Sequence, residues 1–359
     1  MITEAKPKGW LVSAVSAKAL TYDIPLAAML ELTNHCNLWC RHCYVTDRPP
    51  TGELTLDEFR DILAQLAEMG TLFLTLSGGE ALVHPHFFEI ATYARKKEFS
   101  LVLFTNGTLI SPAVADRLRE LCLERVELSI LGGQASTHDG ITGTPGSFDR
   151  AVRGARLLCE RGVKVQLKTT WMRENILESA QIFALVDELG ASFRGSMLVV
   201  HRRDGSAETT KLTASAEQLR QVVRRGSDQI PAEAVPPVPT PLTEEQKRSM
   251  IPCGAGQNSV CIDSYGSVHP CAGIDTIVGN LRAEKFASIW RDSVELKKIK
   301  ALHVSDLTQC ADCDLYTRCN RCAGLAKMET GSLLGPSPQA CRLAHAFEDF
   351  YHEKRCELH

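Results

Sequence analysis

Three cysteines near the N-terminus are close enough in sequence to bind one metal centre. Cys36, Cys40 and Cys43 lie in the segment ELTNHCNLWCRHCY, with three residues between the first two and two residues between the last two. A [4Fe–4S] cluster is ordinarily held by four cysteine thiolates. Three thiolates leave one iron without a protein ligand, and an open iron on a reducing cluster can bind a small molecule and deliver an electron to it.

Zinc is the alternative metal for these cysteines. Structural zinc sites usually combine two C-x2-C pairs, or cysteine and histidine pairs, and the C-x3-C-x2-C spacing matches neither arrangement well. His35 and His42 lie beside the cysteines and keep the zinc alternative open.

A second candidate site is the segment Ser77-Gly78-Gly79-Glu80, which directly follows a predicted strand. Paired glycines allow a backbone to approach a ligand closely, and a carboxylate can accept hydrogen bonds from an ammonium group. Alone, the segment could be an ordinary turn. Its position after the second predicted strand, with the cysteine triplet after the first, makes the two motifs together a much more specific signal than either one alone.

The C-terminal third of the chain carries a second group of cysteines. Cys253 and Cys271 flank Gly266, and a C-x2-C-x5-C-x2-C pattern is followed by one more cysteine; this later set is Cys310, Cys313, Cys319, Cys322 and Cys341. Two C-x2-C pairs also occur in zinc ribbons, but the gap of five residues is shorter than the roughly fifteen usual for zinc.

Four further cysteines have less specific surroundings. Cys261 lies on the first strand of a predicted hairpin that turns at Ser264–Ser267. It could complete a metal cluster, leave that cluster open, or be a buried thiol. We predict that Cys122 and Cys159 pack in the core as small hydrophobic residues, and that Cys356 in the tail is inert.

The composition is that of an ordinary globular protein with a large core. The chain has 359 residues, of which 44% are hydrophobic and 23% charged, and its net charge is −3. No stripe of Lys and Arg is present, so we expect no nucleic-acid partner. We find neither a signal segment nor an apolar run of about 18 residues and predict a cytoplasmic protein without a membrane partner. Thiols stay reduced there, so the 14 cysteines favour metal binding over disulfides.

Short apolar runs alternate with amphipathic segments up to about residue 200, which predicts βαβ units and a parallel sheet buried on both faces. This pattern fits an open sheet or a partial barrel, and the motifs favour the barrel. Thr55 and Glu58 form a capping box at the start of the first helix. The predicted strands are Ala28–Thr33, Leu72–Ser77, Leu101–Thr105, Val126–Ile130, Val165–Thr170 and Phe193–Val200. The predicted helices are Asp57–Met69, His86–Lys97, Pro112–Leu123, Phe148–Arg161 and Leu177–Leu189.

The domain organisation follows from a proline-rich stretch. Two more helices are predicted, near Ser215–Gln229 and Gln339–His352, and six prolines lie within residues 230–252. We predict an N-terminal segment over residues 1–25, a barrel over 26–229, a linker over 230–252, a cysteine-rich domain over 253–345 and a tail over 346–359.

The cysteine triplet and the Gly-Gly-Glu turn together resemble the radical S-adenosylmethionine (SAM) superfamily over about residues 26–200. The resemblance implies a (β/α)6 partial barrel and a [4Fe–4S] cluster on the three cysteines, with SAM bound to the open iron. Ala81 and Leu131 depart from residues common in the family. The resemblance further implies SAM contacts from His42, Gly78, Gly79, Glu80, Asn106, Ser129 and Lys168.

The C-terminal cysteines resemble the SPASM extension of radical SAM peptide-modifying enzymes, which implies two auxiliary iron–sulfur clusters. A gap of two residues precedes Cys322 where the family usually has three. The first cluster would be bound by Cys253, Cys271 and Cys322, with Cys261 as a candidate fourth ligand. The second would be bound by Cys310, Cys313, Cys319 and Cys341.

The resemblance implies reductive cleavage of SAM to a 5′-deoxyadenosyl radical that takes a hydrogen atom from a peptide or protein. The expected outcome is maturation of a ribosomally made peptide by cross-linking, oxidation or epimerisation. Oxidation of a tetrapyrrole in haem-type cofactor synthesis, formylglycine formation in sulfatases, and a zinc-binding structural or regulatory role are the alternatives.

Two partners are expected besides the substrate. Only 35 residues precede Cys36 and 18 follow Cys341, which is too few for a fused leader-peptide domain, so we expect a separate peptide-recognition protein. An electron donor of the flavodoxin or ferredoxin type is also expected. No catalytic acid or base can be assigned, and Tyr44, His138 and Asp139 are only plausible residues of the pocket.

Overall fold

The computed structural model of the chain describes residues 10–45, 51–227 and 238–357. Its strands are β1 Ala27–Glu31, β2 Phe73–Ser77, β3 Ser100–Thr105, β4 Arg125–Ser129, β5 Val165–Thr170, β6 Ser192–Ser196, β7 Ser259–Ile262, β8 Ser267–His269 and β9 Gly279–Asn280. Its helices are α1 Trp10–Thr21, α2 Leu56–Glu68, α3 Phe87–Lys96, α4 Pro112–Glu120, α5 Ala135–Thr142, α6 Ser147–Glu160, α7 Ser179–Leu189, α8 Ala216–Ser227, α9 Glu244–Ser249, α10 Phe286–Asp292, α11 Val294–Lys300, α12 Ala323–Thr330 and α13 Pro338–Glu357.

The described strands form one sheet in the order β6-β5-β4-β3-β2-β1-β7-β8-β9. Strands β1 to β6 are parallel and follow one another in chain order, as successive βαβ units require. The predicted α/β class with a mostly parallel sheet is confirmed. All six predicted strands occur; β5 has the predicted bounds, and the ends of the others differ from the prediction by at most four residues.

The helices between these strands bury one apolar face against the sheet. In α2, Phe59, Ile62, Leu63 and Leu66 are buried, and the predicted capping box of Thr55 and Glu58 is present with both of its hydrogen bonds. The sequence did not predict α5. Its sequence, ASTHDGIT, is rich in residues of low helix propensity and lacks a clear apolar stripe.

Strand β6 corrects the prediction that every strand is buried on both faces. Four of its five residues are exposed, and it ends at Ser196 rather than at Val200. Among the described strands it lies at the edge of the sheet and pairs only with β5. One side of β6 therefore presents backbone donors and acceptors that a further strand could use.

The C-terminal region extends the same sheet. Strand β7 pairs in parallel with β1, with Met29 opposite Cys261, and the predicted hairpin of β7 and β8 is present. Residues from both regions share one core: Leu30, Leu74 and Leu103 belong to it, as do Ile262 and Trp290. The proposed domain boundaries remain predictions, and residues 230–237 of the predicted linker lie outside the described residues.

The described cysteines outside the motifs differ in environment. Cys159 is partly buried against the core, as predicted. Cys122 is exposed, so its predicted core position is wrong. Helix α4 ends at Glu120, and Cys122 follows in a left-handed conformation (φ 48°), which turns it away from the helix face that Leu118 occupies. Among the described helices, none has the length and apolar character needed to cross a membrane.

Candidate active site

A cavity of about 670 Å³ lies at the carboxyl ends of strands β1 to β6. Loops that follow parallel strands converge at this edge of a sheet, which is where α/β proteins place their ligands. The segment after β1, the turn after β2 and the ends of β3, β4, β5 and β6 all contribute to its lining. The structure thus brings the motifs of the N-terminal half together around one space.

The three N-terminal cysteines all line this cavity. Their loop is attached to the end of α5 by two backbone hydrogen bonds, from Trp39 N to Thr142 O (3.0 Å) and from Arg41 N to Ile141 O (2.9 Å). Leu38, inside the triplet, is 2% exposed and anchors the loop. These contacts place the three predicted cluster ligands on one loop at the cavity wall.

The Gly-Gly-Glu turn packs directly on the cysteine loop. Gly79 N donates to Thr33 O (2.7 Å) and Glu80 N donates to His35 O (2.9 Å). A Cβ atom on Gly79 would lie 2.4 Å from His35 O, and one on Gly78 would lie 2.4 Å from Thr33 O. In this structure the glycines are needed for close approach to the cysteine-loop backbone, whereas the sequence suggested close approach to a ligand. Both glycines also line the cavity.

Glu80 is buried and connects the turn after β2 to the end of β3. Its carboxylate accepts hydrogen bonds from Thr105 Oγ1 (2.7 Å), Asn106 N (2.7 Å) and Leu82 N (3.1 Å). Burial raises the pKa of Glu80, and these hydrogen bonds oppose the rise. The carboxylate therefore holds the neighbouring turn in place, and a SAM contact from Glu80 remains a prediction.

Asn106 joins the end of β3 to the first cysteine. Its Nδ2 donates to Asn37 Oδ1 (2.9 Å) and lies 3.8 Å from Cys36 Sγ, while its Oδ1 accepts from Thr108 N (2.9 Å). Asn106 also lines the cavity. An amide donor close to a cluster sulfur is a contact that tunes iron–sulfur potentials.

Two histidines form the wall beside the cysteine loop. His42 is half-buried, and its Nδ1 atom is buried without a hydrogen-bond partner among the described residues. Burial, and then His138, lower the pKa of His42 to about 4. His138 Nδ1 accepts a hydrogen bond from Leu131 N (3.0 Å). A neutral ring with a buried, unpaired nitrogen is compatible with the SAM contact predicted for His42.

Ser129, Lys168 and Arg194 form a row across β4, β5 and β6. The sheet register pairs Ser129 with Lys168 and Lys168 with Arg194, and all three line the cavity. Lys168 Nζ lies 3.1 Å from Glu127 Oε2 and 3.5 Å from the centre of the Phe104 ring. Burial lowers the pKa of Lys168, and Glu127 opposes this effect. Lys168 lines the cavity, and its contact with SAM remains a prediction.

A buried network at the end of β1 was not predicted. Glu31 accepts hydrogen bonds from Arg203 Nη2 (2.7 and 2.9 Å) and from Tyr44 Oη (3.2 Å). Burial, and then Glu31, raise the pKa of Tyr44 well above its ordinary value. In the sequence, the only sign of this network is that the acidic Glu31 ends an apolar strand.

Asp139, which the sequence offered as a pocket residue, caps α6 instead. Its carboxylate accepts hydrogen bonds from Gly146 N (2.6 Å) and Phe148 N (2.9 Å).

One group of C-terminal cysteines gathers where α12 begins. Cys322 is the N-cap residue of α12, and a Cβ atom on Gly273 would lie 3.8 Å from both Cys271 Sγ and Cys322 Sγ. Cys253 and Cys271 pack against one small apolar cluster. Burial raises the pKa of Cys271 to about 11, and among the groups that add to this rise are Cys253 and Cys322. The three predicted ligands of the first auxiliary cluster therefore lie together.

The surroundings of Cys261 differ from those of this group. It is 1% exposed, and its thiol pKa is raised well above the usual range by burial and then by Glu31, with Cys271 contributing less than Glu31. Its neighbours are thus those of a buried thiol beside the Glu31 network. A ligand role for Cys261 stays an open prediction.

The other four cysteines surround the start of α13. Burial raises the pKa of Cys319 to about 11, and the charges that add to the rise are those of Cys341, Cys310 and Cys313. Within the described ranges, no three His, Cys, Asp or Glu groups are arranged to hold a single metal ion. The assignment of these cysteines to clusters rests on residue type, spacing and family.

Comparison with known proteins defines the class. Residues 30–178 match the radical SAM superfamily, and residues 253–323 match the iron-sulfur cluster-binding domain SPASM. The chain therefore belongs to the radical SAM superfamily and carries a SPASM domain. It is an enzyme whose cofactors are SAM, a [4Fe–4S] cluster and auxiliary iron–sulfur clusters.

Two curated relatives have different named activities. An AdoMet-dependent heme synthase of Methanosarcina barkeri is 31% identical over 337 residues, which cover 88% of this chain and 96% of the relative. The mycofactocin maturase MftC of Mycobacterium tuberculosis is 30% identical over 337 residues, which cover 90% of this chain and 84% of the relative. Sequence similarity of this kind shows the family and leaves the substrate undecided.

Solved structures show the same fold. Streptococcus suis SuiB bound to its precursor peptide SuiA superposes with a TM-score of 0.71 at 18% identity, covering 94% of this chain and 82% of SuiB. The enzyme anSMEcpe with bound AdoMet and a peptide superposes with a TM-score of 0.69 at 16% identity, covering 93% of this chain and 99% of that protein.

Proposed function

We propose that this enzyme generates a 5′-deoxyadenosyl radical from SAM in the cavity and uses it to abstract a hydrogen atom from a peptide or protein substrate. The observation that carries the proposal is the meeting of the three-cysteine loop, the Gly-Gly turn and the polar row of β4 and β5 in one cavity. The product would be a matured ribosomal peptide, altered by cross-linking, oxidation or epimerisation.

The chain offers a group for each part of the cofactor. Cys36, Cys40 and Cys43 would hold the [4Fe–4S] cluster, which supplies an electron for reductive cleavage of SAM. The turn at Gly78 and Gly79, braced by Glu80, would lie along the amino acid part of SAM. The remaining predicted contacts, all facing the cavity, are His42, Asn106, Ser129 and Lys168.

The walls of the cavity would protect a radical from water. Leu38, Leu131 and Val199 are each less than 5% exposed and line the cavity. Apolar walls exclude water and side reactions at an active site. We assign the protein the tasks of orienting SAM, excluding water and presenting one substrate group, while the cofactor performs the homolytic chemistry.

The C-terminal cysteines would bind two auxiliary clusters that provide further one-electron carriers. Cys310, Cys313, Cys319 and Cys341 would hold one, and Cys253, Cys271 and Cys322 the other. An oxidation that returns no hydrogen to the substrate leaves an electron on it, and this electron needs such an acceptor.

A peptide substrate is supported by the exposed edge of β6. Bound SAM would fill a large part of the 670 Å³ cavity, so the substrate would insert one side chain or one end while the rest stays outside. The edge of β6 lies at the cavity and offers backbone groups to an extended chain. The similarity to MftC, and to SuiB with its precursor peptide, agrees with such a substrate.

Two partners belong to the same proposal. A separate peptide-recognition protein would deliver the precursor, and a flavodoxin or ferredoxin would reduce the cluster. Pull-down of the reconstituted enzyme with a purified candidate partner would test each association.

Oxidation of a tetrapyrrole is the second candidate function. It is favoured by the similarity to the M. barkeri heme synthase, which this chain matches over 96% of that protein's length. The gene neighbourhood discriminates between the two: a short precursor-peptide gene favours the first candidate, and genes of tetrapyrrole synthesis favour the second.

The proposed radical chemistry can be tested without the substrate. Anaerobically reconstituted enzyme, given dithionite and SAM, is expected to release 5′-deoxyadenosine, measured by chromatography and mass spectrometry. Replacing Cys36, Cys40 or Cys43 by Ala is expected to abolish this product, because each removal leaves the cluster with two ligands. Cys122→Ala is the matched control, since Cys122 is exposed and distant in sequence from the motifs. Full activity in all three cysteine variants would refute the proposal.

A further inference from the structure

We propose that Arg194 binds a carboxylate group of the substrate at the open side of the cavity. This inference rests on the proposed function, because it concerns the substrate of the same cavity, and it adds the chemical class of the group that is recognised.

The sheet register places Arg194 next to the predicted SAM contacts Ser129 and Lys168, on the outermost of the three strands. Lys168 pairs with Ser129 on one side and with Arg194 on the other. Residues opposite one another on parallel strands project to the same face, and all three line the cavity. Arg194 is the member of this row on the edge strand, where a large substrate has access to the cavity.

The charges around Arg194 are not balanced. Lys168 and Arg125 both contact one carboxylate, that of Glu127, at 3.1 and 2.6 Å. The Arg194 guanidinium lies near enough to lower the pKa of Lys168, and in the described part of the chain its side chain makes no ion pair. Two cations thus share the Glu127 carboxylate, and Arg194 adds a third positive charge that faces the cavity.

A carboxylate is the group that best satisfies this charge. A guanidinium presents parallel N–H donors that match the two oxygens of a carboxylate. The carboxylate could be the C-terminus of a peptide or a propionate of a tetrapyrrole, and both would enter from the exposed edge.

The test compares charged and neutral forms of two probes on the full-length, reconstituted, SAM-loaded enzyme. One pair is coproporphyrin III and its tetramethyl ester. The other is a random decapeptide pool without Asp or Glu, prepared with free carboxyl termini and with C-terminal amides. Anaerobic equilibrium dialysis gives the affinities for the wild type, Arg194→Met and Arg194→Lys. Arg119→Met is the matched control, because Arg119 is exposed on α4, away from the cavity lining.

We expect the wild type to bind the charged form of one probe pair more tightly than the neutral form. Arg194→Met should weaken binding of that charged form by about 10- to 100-fold, the loss expected for a charge-assisted hydrogen bond. Arg194→Lys should retain part of the affinity, and Arg119→Met should match the wild type. The probe pair that responds identifies the source of the carboxylate.

Three results would overturn the inference: equal binding of charged and neutral forms by the wild type in both pairs, unchanged binding by Arg194→Met, or a loss of SAM binding in Arg194→Met as large as the loss of probe binding. The proposed function fails separately, if the wild type forms no 5′-deoxyadenosine.

Discussion

At the scale of single residues, the most consequential side chain outside the motifs is Glu31. It is completely buried at the end of β1, and it contacts Arg203 from the segment after β6 and Tyr44 from the end of the cysteine loop. Arg203 N also donates to Tyr44 O (2.9 Å). These bonds attach the cysteine loop to two other segments that line the cavity.

Glu31→Gln is expected to destabilise the protein by about 3–5 kcal/mol, because it leaves the largely buried Arg203 guanidinium without its anion. Anaerobic chemical denaturation measures the change in the free energy of unfolding. Glu208→Gln removes the exposed partner of Lys211 and should cost less than about 1 kcal/mol. Equal, small losses in both variants would show that the Glu31 pair does not stabilise the fold.

At the scale of elements, the turn after β2 and the loop after β1 act as one unit. The backbone bonds of Gly79 and Glu80 to the cysteine loop require a separation that only glycine permits at residue 79. The Gly-Gly-Glu motif is therefore partly a packing motif, which positions the cysteine loop as well as the cavity wall.

Gly79→Ala is expected to displace the cysteine loop, since the new methyl group would lie 2.4 Å from His35 O and 2.6 Å from Asn34 O. We expect a loss of about 1–3 kcal/mol in stability, as for other overpacked sites, and slower formation of 5′-deoxyadenosine. Gly140→Ala is the control, because a Cβ atom there meets nothing within 4 Å. Its helical position should make that change neutral or stabilising. Wild-type behaviour of Gly79→Ala would contradict this account.

At the scale of the whole molecule, the two halves of the chain share one core. Strand β7 adds to β1, and Trp290 of α10 is 1% exposed and donates from Nε1 to Asp23 O (2.7 Å), just after α1. Gln339 of α13 bonds through its side chain to Val199 N (3.2 Å) and Val199 O (3.0 Å) in the cavity wall. The cysteine-rich region therefore supports the cavity directly.

Trp290→Ala is expected to lower the free energy of unfolding by about 3–5 kcal/mol, and to do so for the whole protein in one transition, because Trp290 lies in the shared core. Circular dichroism and iron release should report the same midpoint. Ile277→Ala is the control in the same region; Ile277 is 57% exposed, and its loss should change stability by less than about 0.5 kcal/mol. Separate transitions for the two halves would argue against a shared core.

The amino-acid sequence by itself determined the chemistry and the local elements of this protein. The spacing of Cys36, Cys40 and Cys43, the turn at Gly78 and Gly79, and the six strands that precede the loops are local features, and short-range patterns encode them. The order of the motifs along the strands was enough to place them at one edge of a parallel sheet.

Only the tertiary structure decided which distant residues meet. The pairing of β7 with β1, the contact of Arg203 with Glu31 and the exposure of Arg194 on an edge strand depend on packing between segments far apart in sequence. Local periodicity carries no information about such contacts, because the same pattern of apolar residues is compatible with several neighbours. The cysteine triplet can be recognised in the sequence, but the cavity that it lines forms only when the chain folds.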